Sequence, residues 1–249
     1  MDSVTPSPMT LVWPYDNAAI GTLIRRYKRF LAEVALTDGA IVTAHCPNTG
    51  PMTGVCKPGS PVLLLPSTNP HRKLAYTWEA IAVEGVWVGV NTARPNAVVK
   101  VLLDRRLLPA LEPWERWRAE VPYGQENSRI DFLLEGEKPL YLEVKNTTWC
   151  EGSLALFPDT VTERGQKHLR EAIALAQRGI RAAVLYFVHR GDGTAFAPGA
   201  AADSEYARLW AVARAAGVQM LACGMRVSPQ GIAFQGMLPC YTGADSQPN

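Results

Sequence analysis

The sequence predicts a mixed α/β chain in two parts: an OB-like β-barrel over residues 1–91, then an α/β domain with a mixed sheet over 92–241, and a polar tail at 242–249. Three observations predict it. The first 90 residues or so hold about five short strand-like segments separated by turn formers. From Asn96 onward, helical and strand patterns alternate. Within that second part, two apolar segments joined by a charged, Gly-containing link carry Asp131, Glu143 and Lys145.

In chain order, Leu23 to Leu36 reads as one long segment containing the basic-aromatic run Arg25-Arg26-Tyr27-Lys28-Arg29-Phe30. Asp38-Gly39 is a turn signal, and Ala40 to Cys46 alternates and is rich in β-branched residues. Pro47-Asn48-Thr49-Gly50-Pro51 breaks the pattern. Pro61 to Leu65, Ala75 to Val83 and Val86 to Val90 are further strands, separated by Ser67-Thr68-Asn69-Pro70 and by Gly85. Short strands in this number suit a small closed barrel, and the OB type is one such shape.

The boundary falls at Asn91 to Asn96. Asn96 to Leu108 has a helical pattern stopped by Pro109. Arg129 to Leu134 and Leu140 to Lys145 are strands, with Glu135-Gly136-Glu137-Lys138 as their hairpin connection. Thr162 to Arg178 is a helix with Thr162 as cap and Gly179 as stop. Ala182 to Val188 is a near-continuous apolar run, as in a central strand buried on both faces. Ser204 to Ala216 is a helix between Asp203 as cap and Gly217 as stop, and Val218 to Val227 returns as a strand.

The bulk numbers exclude several classes. At 249 residues with 47% hydrophobic and 19% charged residues, this is the composition of a folded globular chain. No apolar run reaches membrane-spanning length, and Met1 to Thr10 lacks an apolar signal core, so a cytoplasmic location without membrane contact is expected. Five widely spaced cysteines without C-x-x-C, and only four histidines, argue against a disulfide framework or a structural zinc site. There is no G-x-S-x-G, Walker loop or G-x-G-x-x-G, so acyl transfer, NTP hydrolysis and a bound nucleotide cofactor have no support. Subunit number is left open. Net charge is +2, and the excess lies early: residues 1–97 carry eight Lys or Arg against six Asp or Glu. A nucleic-acid surface would therefore be a local patch.

Two constellations carry chemistry. Along Leu140 to Lys145, strand alternation places Glu143 and Lys145 on one face and Leu142 and Val144 on the other. With Asp131 on the neighbouring strand, two carboxylates can hold a divalent cation beside an ammonium, the minimum equipment for metal-assisted phosphodiester cleavage. Taken alone, the same pattern also describes the wet face of an ordinary hairpin. The second constellation is basic. Arg25, Arg26, Lys28 and Arg29 with Tyr27 and Phe30 combine phosphate-pairing cations and stacking rings, which suits a nucleic-acid backbone or unpaired bases. Arg72 and Lys73 add donors on the loop after Pro70. Arg164 and Lys167 supply cations on the helix that follows the acidic hairpin. A charged exterior strand and a solvated helix face are the competing readings.

Several blocks together resemble a known family. Arg26-Tyr27-Lys28-Arg29-Phe30-Leu31-Ala32, His45-Cys46-Pro47-Asn48-Thr49-Gly50, Tyr76-Thr77-Trp78-Glu79, Val90-Asn91-Thr92, Ser128-Arg129-Ile130-Asp131-Phe132, Glu143-Val144-Lys145 and Phe157-Pro158-Asp159 to Arg170 resemble the sugar fermentation stimulation protein A family, in order from about Leu23 to Pro239. The resemblance implies an OB-like barrel joined to a PD-(D/E)XK nuclease-like domain. It also implies DNA binding and a link to the regulation of sugar use. Within it Asp131, Glu143 and Lys145 match the nuclease signature, and Gln166 falls where related nucleases place a helix residue near the site. It further implies Mg²⁺ on Asp131 and Glu143, assisted by a backbone carbonyl, with Lys145 orienting water or stabilising charge; the alternative to a purely DNA-binding role is then a Mg²⁺-dependent nuclease. One departure concerns a further acid in the helix after Asn96 that would complete the acidic site: this chain has none there before Asp104, with Glu126 as a candidate substitute.

Overall fold

The computed structural model describes residues 9–67, 71–123 and 128–242. Asn69, Pro70, Glu126 and nearly all of the polar tail lie outside the described residues. The chain packs as two compact units that interleave along the sequence. One takes Met1–Val101, Val188–Asp192 and Gly224–Gly236; the other takes Leu102–Phe187, Gly193–Cys223 and Met237–Asn249.

The first unit opens with β1 (Thr10–Pro14) and continues into β2 (Ala19–Tyr27), β3 (Leu31–Leu36), β4 (Ile41–His45), β5 (Pro61–Pro66), β6 (Tyr76–Val83) and β7 (Val86–Gly89). The last six form a sheet in the order β4-β3-β2-β5-β6-β7. β4 also pairs with β6, through Ala44↔Tyr76 and His45↔Thr77, and this closes five strands into a barrel. Inward alternation fills it with Leu23, Ala32, Val34, Ala44, Val62, Leu64, Trp78 and Ile81, all buried. Each large side chain so buried contributes about 1.5–3 kcal/mol. Gly21 is needed where β2 crosses β3, because a Cβ there would come within 2.5 Å of Val34 Cγ1 and 2.7 Å of the Ala35 carbonyl.

The segment expected to run unbroken from Leu23 to Leu36 is instead a hairpin. β2 ends at Tyr27, which pairs with Leu31, and the chain turns at Lys28-Arg29-Phe30. Lys28 and Arg29 take left-handed conformations, with φ of 49° and 65°. Tight hairpin turns favour two such residues, usually Asn-Gly, so the Lys-Arg pair gives no turn signal.

The second unit begins inside α1 (Arg94–Asp104), at Leu102. It contains β8 (Arg116–Tyr123), β9 (Ser128–Glu135), β10 (Leu140–Thr147), β11 (Trp149–Glu151), β12 (Leu154–Phe157), α2 (Glu163–Gln177), β13 (Arg181–Val188), β14 (Ala195–Pro198), α3 (Ser204–Ala215), β15 (Gln219–Ser228) and β16 (Gly231–Leu238); β13 gives its last residue, Val188, to the first unit, and β15 and β16 are divided between the units. Within this unit the sheet runs β15-β13-β10-β9-β8. β13 is buried from Ala182 to Val188, as its apolar run predicts. β11, β12 and β14 form a separate small sheet with β12 and β14 parallel. In the first unit β16 pairs antiparallel with β1. Thr162 caps α2 by accepting from the Gly165 amide at 3.1 Å, and Asp203 caps α3 by accepting from the Tyr206 amide at 2.9 Å. No helix among the described residues is long and apolar enough to cross a membrane.

Strands β1, β8, β11, β12, β14 and β16 have no clear sequence signal. β11, β12 and β14 are three or four residues long. β8 is an edge strand whose exposed positions include Arg116, Arg118 and Glu120, and such charge dilutes the apolar pattern.

Candidate functional site

The acidic hairpin is a product of register. β9 and β10 pair antiparallel with Leu140↔Leu134, Tyr141↔Leu133 and Leu142↔Phe132. Phe132 and Leu142 point into the core together. One residue further, Asp131 and Glu143 fall on the other face of their strands. Here the side chain enters the ladder: Asp131 Oδ2 accepts a 2.7 Å hydrogen bond from the Val144 amide. That bond fixes one end of the Asp131 carboxylate. On β8, Ala119↔Phe132 and Val121↔Ile130 place Glu120 level with Asp131. Glu120 adopts φ 55°, and its carbonyl accepts from Arg129 Nη1 at 2.9 Å.

Glu143 is only 6% exposed. Its Oε1 accepts from Lys145 Nζ at 2.8 Å and lies in short contact with His168 Nδ1 on α2. Lys145 Nζ is 3.1 Å from the same ring nitrogen. Nδ1 either donates to Glu143 or accepts from Lys145, so the tautomer decides which bond forms. Burial pushes the Glu143 carboxyl up, but the Lys145 charge and the His168 contact outweigh it and hold the group below the usual carboxylate range. Glu143 is therefore an anion at neutral pH. Its second oxygen, Oε2, is buried with no hydrogen-bond partner among the described residues. Leaving such an atom unpaired costs at least about 1–3 kcal/mol, more when charged.

Asp131, Glu143, Glu120 and His168 line one pocket of about 350 Å³, and Arg129, Arg164 and Lys167 line it with them. Acids thus lie among cations, as needed to take a cation together with a phosphate. The fit to a hard divalent ion rests on the unpartnered Glu143 Oε2 beside a second carboxylate. Among the described residues no three His, Cys, Asp or Glu side chains form a metal cluster. Two carboxylates are as many as Mg²⁺ needs from a protein, since it keeps several waters and takes substrate phosphate as well. Asp104, the first acid in the helix after Asn96, accepts from Trp117 Nε1 at 2.9 Å.

Of the residues singled out from sequence, the fold brings Asp131, Glu143, Lys145, Arg164 and Lys167 to this one region. Gln166 does not join them. Its amide donates to both oxygens of Asp203, at 3.1 and 3.0 Å, and Asp203 also accepts from the Thr162 amide at 2.9 Å. Gln166 thereby ties the start of α2 to the start of α3. His168, Arg129 and Glu120 are site residues that sequence reasoning missed. Two signals point to them: His168 lies one helical turn after Arg164, and Arg129 lies two residues before Asp131, on the same strand face.

The basic residues of the barrel occupy the β2–β3 hairpin. Arg25 is exposed, pairs with Glu33 at 2.7 Å and lies 5.1 Å from the centre of the Tyr27 ring. Arg26 is used internally. Its Nε donates to the Arg29 carbonyl at 3.0 Å, and its Nη2 donates to the Asn48 and Gly50 carbonyls at 2.9 and 3.0 Å. Lys28 and Arg29 are exposed at the turn. Arg72 donates to Thr77 Oγ1 at 3.1 Å, and Lys73 beside it is exposed.

Comparison with known proteins supplies the context. Residues 24–90 match the family model described as the SfsA N-terminal OB domain, and residues 93–231 match the sugar fermentation stimulation protein RE domain. A sugar fermentation stimulation protein homolog of Synechococcus elongatus is 55% identical over 231 residues, covering 92% of this chain and 97% of that protein. The homolog of a Picosynechococcus strain is 54% identical over 243 residues, covering 95% and 96%. Among solved structures, Pyrococcus furiosus SfsA in complex with Ca²⁺ is similar, with TM-score 0.85, 26% identity and coverage of 93% of this chain and 99% of that one.

Proposed function

The chain belongs to the sugar fermentation stimulation protein family, and on that premise we propose that it is a DNA-binding protein that holds a divalent cation between Asp131 and Glu143. One observation carries this reading: an ionised, buried Glu143 whose Oε2 has no partner among the described residues, in a pocket shared with Asp131 and three cationic side chains. Two carboxylates alone repel a phosphate. With a cation between them, and with Arg129, Arg164 and Lys167 at the same pocket, a phosphate is attracted. The Ca²⁺ complex of the Pyrococcus relative supports a hard, oxygen-seeking ion. The role in sugar use carried by the family's name would then be exerted at DNA. The barrel residues Arg25, Lys28, Arg29, Arg72 and Lys73 add a second, electrostatic contact.

Fluorescence anisotropy on labelled DNA tests the reading. Binding should strengthen on adding Ca²⁺ or Mg²⁺, and Asp131→Asn should remove that dependence. Equal affinity in EDTA and in Ca²⁺ would refute the cation. Failure to bind DNA under any of these conditions would refute the whole proposal.

A second reading, Mg²⁺-dependent phosphodiester cleavage, is favoured by Lys145, whose ammonium lies 2.8 Å from Glu143 Oε1. The bound metal would supply an acidified water and neutralise phosphate charge. Asp131 and Glu143 would position that ion. Lys145 would orient the water or stabilise negative charge developing on the phosphorane. His168 would hold Glu143 and Lys145 in place. Purified protein with Mg²⁺ or Mn²⁺ should then nick plasmid DNA, and Asp131→Asn or Glu143→Gln should abolish nicking. Nicking that survives both substitutions would exclude this site.

A further inference from the structure

The turn between β2 and β3 has a construction that phosphate binding alone does not require. Lys28 and Arg29 hold consecutive left-handed conformations that side-chain-bearing residues adopt at a cost. Asn-Gly would make the same turn more cheaply. The geometry is held from inside by Arg26, whose guanidinium ties the turn, at the Arg29 carbonyl, to the Asn48 and Gly50 carbonyls. Asn48 braces that second loop by accepting from the Gly50 amide at 2.9 Å. The backbone of Phe30 is fixed as well, through a 2.8 Å bond from the Cys46 amide to its carbonyl. On this braced turn Phe30 is 47% exposed, next to two exposed cations. A large aromatic ring left in water on a rigid turn is placed to stack, and the adjacent ammonium and guanidinium are placed to take phosphates.

We infer that this turn is a preformed stacking platform for an unpaired base, with Lys28 and Arg29 pairing the flanking phosphates, so that the barrel favours single-stranded DNA over intact duplex. The inference rests on the DNA-binding reading above and names its strand class. Bases in an intact duplex are stacked on each other and do not offer a face to Phe30; an unpaired base does. Because the turn is already ordered, little conformational freedom is lost on binding.

The test is anisotropy with fluorescein-labelled single-stranded oligothymidylate and with a mixed-sequence duplex of equal length, at one fixed salt concentration. The intact protein should prefer the single strand. Phe30→Ala should weaken single-strand binding about tenfold and so erase most of that preference, as expected for loss of one base–aromatic stack. Phe30→Trp should keep it. The Lys28→Ala/Arg29→Ala double variant should weaken both DNAs and lower the salt slope by about one to two units. A protein that binds duplex as tightly as single strand, or a Phe30→Ala variant with unchanged preference, overturns the platform while leaving DNA binding intact. A protein that binds neither DNA overturns both. Circular dichroism of each variant establishes that the barrel is folded.

Discussion

Replacing Lys145 by Met probes whether Glu143 sits where a cation belongs. In the intact protein the Glu143 carboxylate is nearly buried, and Lys145, itself only 11% exposed at the side chain, neutralises Oε1 at 2.8 Å. The Met side chain keeps much of the lysine's apolar stem and removes the charge. Breaking a buried pair by deleting one partner typically costs about 3–5 kcal/mol, because the surviving charge is left uncompensated. His168 remains on the same oxygen, so the lower end, about 3 kcal/mol, is expected. A bound divalent ion would substitute for the lost ammonium. Binding to the folded state alone adds about 2.7 kcal/mol of stability at a hundredfold excess of ion over its dissociation constant. Urea unfolding in EDTA should therefore show the variant less stable by about 3 kcal/mol. Titration with Ca²⁺ should recover most of that loss, with a larger gain for the variant than for the parent. Equal stability of the two proteins in EDTA would refute the buried-pair argument. A Ca²⁺ gain in neither protein would refute the cation site.

Other perturbations separate site from scaffold. The Glu143 carboxyl is held below its ordinary value of 4.5 in the folded protein, so its stabilisation is fully present above pH 4.5 and is lost as pH falls through the lower folded value; Glu143→Gln should flatten that part of an acid-unfolding curve. Asp203→Ala removes the α3 cap and the acceptor for the Thr162 amide and Gln166, and should cost about 2 kcal/mol in urea unfolding while leaving DNA affinity in place. Glu79 is fully buried under a two-pronged contact with Arg94 at 2.6 and 2.7 Å, so Arg94→Met should cost about 3–5 kcal/mol and Arg94→Met/Glu79→Gln markedly less, read by the same melts. Gly89→Ala would set a Cβ 2.1 Å from His189 Nε2 on a buried ring, and should lower the stability of the first unit by about 3 kcal/mol.

Elements with a strong local signal are legible in the amino-acid sequence alone. Thr162, Asp203, Gly179 and Gly217 bracket α2 and α3 because capping needs only a short polar side chain or a left-handed residue at the right position. The apolar run of β13 and the hairpin of β9 and β10 are likewise visible, since burial on two faces and strand alternation leave a mark in sequence. The Lys28-Arg29 turn is not, because it is braced through Arg26 by the carbonyls of Asn48 and Gly50, which lie 22 and 24 residues beyond Arg26. Gln166 shows the same limit: its partner, Asp203, is 37 residues away.

The sequence by itself determined the residue types on each strand face, and with them the pairing of Glu143 with Lys145 and the expectation that Asp131 lies beside them. It also carried the family likeness, since ordered blocks of residues survive in the chain itself. Only tertiary structure decided that α2 brings His168 onto Glu143, that β8 sets Glu120 level with Asp131, and that Arg26 is spent on backbone carbonyls. Periodicity fixes which way a side chain points along its own element. Which groups meet across elements depends on packing and register summed over the whole fold, and no local pattern encodes that sum.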